Sequence, residues 1–166
     1  MDPEAGPIHD ALYMDIATRT VTTEIYLAKR ALKEDPAFFR HPFTGWTEPK
    51  KKSSPSQPQL DPKPIVEIRL LGASGAPDPD HVYSGHELKM WEYVKGRANG
   101  DVRVTIPQPM RRSLPEGCIL EMRRRPIPAG LDYRLDFLTP GSSAWAVARA
   151  KAVLPLPNSL RKMGWD

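Results

Sequence analysis

The sequence predicts an α+β protein whose C-terminal part is mostly β, on three observations. Residues 65–166 carry short β-rich runs separated by proline or glycine. Residues 10–34 carry an apolar stripe at helical spacing. Between them, residues 47–64 are too polar and too rich in proline to form a packed core. The predicted organisation is an N-terminal helical arm with an aromatic loop at 1–46, a proline-rich linker at 47–64 and a β-rich domain at 65–166. With 19 prolines among 166 residues, about twice the usual share, long uninterrupted helices cannot dominate.

In the arm, Met14, Ala17, Val21, Ile25, Ala28 and Leu32 recur at steps of three or four, which sets them on one face of a helix that ends before Asp35-Pro36. The β-branched run at 18–23 opposes that reading. Phe38, Phe39, Phe43 and Trp46 then lie among His41-Pro42 and Gly45, an aromatic loop suited to packing on a core or a partner. The linker holds five prolines, three serines and Lys50-Lys51-Lys52, and is expected to be semi-extended. Beyond it, residues 65–71 predict a strand, 72–80 a loop and 88–94 a strand or short helix. Asn99-Gly100 signals a turn. Residues 102–106, 119–124 and 131–138 predict strands, 144–152 a short helix or strand, and 154–166 closes the chain.

The formal charge of +4 is unevenly placed: residues 1–96 sum to −2 and residues 97–166 to +6, with the excess centred on 97–125. That concentration favours an anionic partner over an evenly solvated surface. No apolar run approaches the roughly 20 residues that cross a bilayer, so no membrane-spanning helix is expected. The acidic start, Met1-Asp2-Pro3-Glu4, lacks the apolar core of a secretory signal. The one cysteine, Cys118, cannot form an internal disulfide, which suits a reducing compartment, and the expected location is cytoplasmic.

Catalytic patterns are missing. His81 and His86 sit in an acidic stretch at 78–87, but their spacing fits no zinc pattern and no Cys-x-x-Cys accompanies them; a polar surface loop is the expectation. Gly72-Ala73-Ser74-Gly75 is neither a nucleophile elbow nor a phosphate loop. Cys118 opens a predicted strand as a small core residue. The reading is a non-enzymatic protein with no catalytic residues, no metal, no cofactor, no small-molecule substrate and no membrane partner.

Residues 102–122 contain Arg103-Val104-Thr105-Ile106-Pro107, then Arg111 four residues after the proline, Leu114 seven after it, Glu116-Gly117 at a turn, and Ile119-Leu120-Glu121-Met122. This resembles the AbrB-like swapped-hairpin and pseudobarrel DNA-binding domains. Two departures stand out: Asp101-Val102 separates Gly100 from Arg103, and Pro115 shortens the usual glycine-rich connection. A second copy is legible at 153–164, where Pro157-Asn158-Ser159-Leu160-Arg161-Lys162 can be laid over Pro107-Gln108-Pro109-Met110-Arg111-Arg112; chance similarity between two basic segments after proline explains it equally well. The resemblance implies a pseudobarrel-like β domain, a homodimer and duplex DNA as partner.

Phosphate contact needs cations, above all arginines able to make paired hydrogen bonds. Arg103, Arg111 and Arg112 are the first candidates, with Arg123 and Arg125, which share a strand face, next. The run 123–125 serves equally as a basic edge that deters strand pairing, with one member paired to Glu121 or Glu116. The expected function is a DNA-binding regulator or antitoxin-like repressor. The rival is a structural subunit of a virion or nucleoprotein particle, docking through its N-terminal arm and linker.

Overall fold

The structure, a computed structural model, describes residues 7–16, 24–39, 46–47, 59–60, 63–93, 101–124, 130–156 and 160–166. In chain order they form β1 (Ala11–Asp15), β2 (Glu24–Ala28), α1 (Lys29–Glu34), a 3₁₀ turn (Pro36–Phe39), β3 (Trp46–Thr47), β4 (Gln59–Leu60), β5 (Ile65–Leu71), β6 (Pro77–Glu87), β7 (Met90–Tyr93), β8 (Asp101–Thr105), α2 (Gln108–Ser113), β9 (Ile119–Arg124), β10 (Tyr133–Leu138), α3 (Ser143–Lys151), β11 (Leu154–Pro155) and β12 (Lys162–Trp165). The fold is mixed α/β and dominated by strands.

The strands make two sheets. The first runs β11-β12-β1-β9-β10-β5-β6 and the second β2-β8-β7-β4-β3. Only β5 and β10 run parallel among the described pairings. Strand alternation explains the core. Leu12 and Met14 of β1, Leu120 and Met122 of β9 and Leu135 and Phe137 of β10 join Ile25 and Leu27 of β2 and Val102 and Val104 of β8 in one buried cluster shared by both sheets. Burying a side chain of this size contributes about 1.5–3 kcal/mol. The intervening residues Ala11, Tyr13, Ile119 and Leu138 form a second cluster on the first sheet's other face, covered by Ala148 and Ala152. Ser142 caps α3 by accepting Trp145 N at 3.1 Å.

Gly164 of β12 passes under the end of α3 so closely that a Cβ there would stand 1.8 Å from Lys151 O. Only glycine permits that approach. The outer edge of β6 is guarded differently, by Pro77 and Pro79, by Asp78 and Asp80, and by register shifts against β5.

Several expectations change. The helix over 10–34 is two strands and one short helix, α1. The stripe misleads because β1 is an interior strand covered on both faces, so Ala11 to Met14 are all buried and no alternation shows. The region therefore supplies strands to both sheets rather than a helical arm alone. Residues 17–23 lie outside the described residues. The stretch at 78–87, read as a loop, belongs to edge strand β6, where its prolines are tolerated. Within the expected linker, Thr47 and Gln59 pair across a two-residue ladder; 48–58 and 61–62 lie outside the described residues, as does Asn99-Gly100. The strand–turn–strand unit at 102–122 is present as β8, α2 and β9, but β8 and β9 enter different sheets, and both sheets are open rather than closed into a barrel.

Candidate nucleic-acid interface

The five candidate arginines do not share one surface. Arg103 and Arg123 alternate with core residues of different sheets, Val102 and Val104 in one case and Leu120 and Met122 in the other, so they leave the shared core in opposite directions. Arg125 lies outside the described residues.

Arg103 sits at the centre of β8, with Tyr26 of β2 opposite it on one side and Trp91 of β7 on the other. Its Cζ lies 4.8 Å over the Tyr26 ring, and its Nη1 is 3.3 Å from Glu24 Oε2. Lys89 is exposed, with Nζ 5.0 Å from the Trp91 ring centroid. Trp91 itself is only 7% exposed. This sheet face thus carries two cations, each set over an aromatic ring, a pairing worth about 0.5–2 kcal/mol.

Immediately after β8, Pro107 ends the strand and α2 begins, with Pro109 in its first turn where the missing N–H costs nothing. Met110 and Leu114 enter the core. Arg111 is 4% exposed and its Nε donates to Glu24 O at 3.3 Å. It fastens α2 to β2 and faces no solvent-borne phosphate. Arg112, the next residue, is exposed. Glu24 is therefore a hub: its carboxylate takes Arg103 and its carbonyl takes Arg111.

Arg123 is held on the first sheet's outer face. It reaches Glu121 Oε1 at 3.4 Å, Asp166 Oδ2 at 3.3 Å and Tyr13 Oη at 3.3 Å. Beside it, Arg69 grips Asp136 through two 2.8 Å bonds and Arg134 meets Glu67 at 2.9 Å. This face is a lattice of alternating charges that neutralise one another. Burial and the Glu121 carboxylate raise the Tyr13 hydroxyl far above its ordinary value. Arg124 lies 3.7 Å from Asp10 Oδ1.

Cys118 is buried, and desolvation pushes its thiol up to about 12, with Arg111 pulling the other way. Phe38 and Phe39 of the expected aromatic loop are wholly buried core residues. Among the described residues, no group of three or more His, Cys, Asp or Glu side chains is arranged to hold a metal ion, and no helix is long and apolar enough to cross a membrane.

Glu24, Tyr26 and Lys89 were not candidates from the sequence. Their signal is the polar–apolar alternation Glu24-Ile25-Tyr26-Leu27 and the two-residue spacing of Lys89 and Trp91, which the helical reading of 10–34 hid in the first case.

No family model and no curated protein matches the chain. Its function rests on this geometry.

Proposed function

We propose that the chain is a non-enzymatic nucleic-acid-binding protein that meets phosphate through the second sheet's outer face and α2. One observation supports the reading: on the sheet face that carries Glu24, Lys89 is exposed and Arg103 partly so, each set over an aromatic ring, and α2, which follows β8, exposes Arg112. The aromatic rings beneath Lys89 and Arg103 limit their freedom, so less rotamer entropy is lost when phosphate binds.

Fluorescence anisotropy with labelled oligonucleotides across a salt titration tests this. Lys89→Gln and Arg112→Gln should each weaken binding and flatten the dependence of log K on log salt, by about 0.7 to 0.9 per cation removed. Absence of binding at low salt, or a slope unmoved by both substitutions, rejects the reading.

A further inference from the structure

We infer that the partner of this face is a single-stranded nucleic acid rather than a duplex, an inference that rests on the nucleic-acid reading above and departs from the duplex expected by resemblance. Three features of the face lead there.

The first is the shape of what is presented. Readers of duplex sequence commonly insert a helix or a two-stranded ribbon into a groove. Here α2 spans six residues, with Met110 and Arg111 buried. It has too little free surface to lie in a groove, and Arg103 is presented from the middle of a sheet.

The second is the Tyr26–Arg103 pair. A guanidinium set over a tyrosine ring is a platform on which an unpaired base can stack. In a duplex the base faces are already stacked on one another, so the platform has nothing to engage there. Trp91 is nearly covered and acts as the support for Lys89 rather than as a stacking ring.

The third is Glu24. Its carboxylate lies on this face, is 27% exposed, and pairs with Arg103. A continuous rail of duplex phosphates pressed onto this face would meet that negative charge. A single strand can turn its bases inward, where a carboxylate accepts hydrogen bonds from the amino group of cytosine. Lys89, level with Glu24 across Thr105 of β8, is exposed and suits the strand's phosphates.

The test titrates the full chain with a labelled mixed-sequence single strand, an all-thymine strand of equal length, and the same mixed sequence as a blunt duplex. The single strands should bind about tenfold tighter than the duplex, with the mixed strand tighter than all-thymine. Tyr26→Leu should lower single-strand affinity roughly fivefold and duplex affinity much less, since a duplex loses only the ordering of Arg103. Should Tyr26→Leu fail to fold by circular dichroism, Arg103→Lys serves instead: it keeps the charge and the salt slope but loses the flat guanidinium over the ring. A duplex bound as tightly as the single strands, with binding weakened by Lys89→Gln, overturns this inference and leaves the phosphate reading standing. Absence of binding to all three probes overturns both.

Discussion

Arg111 and Arg161 end on the same strand edge: Arg111 Nε donates to Glu24 O at 3.3 Å, and Arg161 Nη1 donates to Tyr26 O at 2.7 Å. Carbonyls two residues apart on a strand point the same way, and β2 is the last strand of its sheet. The two arginines occupy acceptors that would otherwise invite another strand. They are also the equivalent positions of the two proline-led basic segments. The likeness stops there: Met110 is fully buried, Leu160 is fully exposed, and Lys162 opens β12 where Arg112 lies in α2.

Removing these caps should cost stability in proportion to burial. Arg161→Gln is expected to lose about 1 kcal/mol, the value of one hydrogen bond. Arg111→Gln is expected to lose about 1.5–3 kcal/mol, because a buried hydrogen bond from a charged donor is broken. Urea denaturation measures both, and the double variant should also form larger species in light scattering. If Arg111→Gln kept full stability and lost only nucleic-acid affinity, Arg111 would be a phosphate ligand after all.

Gly164→Ala should be among the most damaging small substitutions. The new methyl would meet backbone, Lys151 O at 1.8 Å and Lys151 C at 2.5 Å, so either the end of α3 or β12 must move. Overpacking of this kind costs about 1–3 kcal/mol. Gly72→Ala is the control, since the nearest atom to its new methyl would be Ala76 O at an ordinary 3.8 Å. Thermal melts of the two variants should separate clearly, and equal melts would show that α3 yields freely.

Cys118 sets an alkaline limit. Its folded thiol is raised to about 12 by burial, above its ordinary value of 9.0. A raised group contributes full stability below the unfolded value, and that contribution falls as pH rises towards the folded one. The burial-raised hydroxyls of Tyr13 and Tyr133 act in the same direction at higher pH. Stability should therefore decline between about pH 9 and pH 12, and native Cys118 should resist maleimide at pH 8 until the chain unfolds. Rapid labelling of the folded protein would contradict the burial.

The C-terminal elements were legible because their signals are local. Residues 65–71, 102–106, 119–124 and 131–138 are short β-rich runs between breakers, and each contains or overlaps a strand. Cys118 was legible as core for the same reason. The arm was not. The apolar residues of β1 are continuous because β9 and β12 flank it while core and α3 cover its faces, and no window of sequence reports that enclosure. The site was half legible. Arginine identity marked the cations, but which of them face solvent depends on partners far along the chain: Glu24 for Arg103 and Arg111, Asp166 for Arg123.

That dependence separates Arg112 from Arg123. The sequence offers both as phosphate contacts, yet they stand on different elements and in different company. Arg112 is exposed on α2, next in sequence to the Arg111 that bonds Glu24 O, whereas Arg123 spends its donors on Glu121, Asp166 and the Tyr13 hydroxyl. Arg112→Gln should therefore reduce nucleic-acid affinity severalfold with stability within about 0.5 kcal/mol of the parent, as for an open surface change. Arg123→Gln should do the reverse, leaving affinity unchanged while costing about 0.5–1 kcal/mol, the modest worth of a solvent-screened ion-pair network. Anisotropy and denaturation on the same two proteins resolve the pair. Loss of binding in Arg123→Gln with no loss in Arg112→Gln would move the interface to the first sheet.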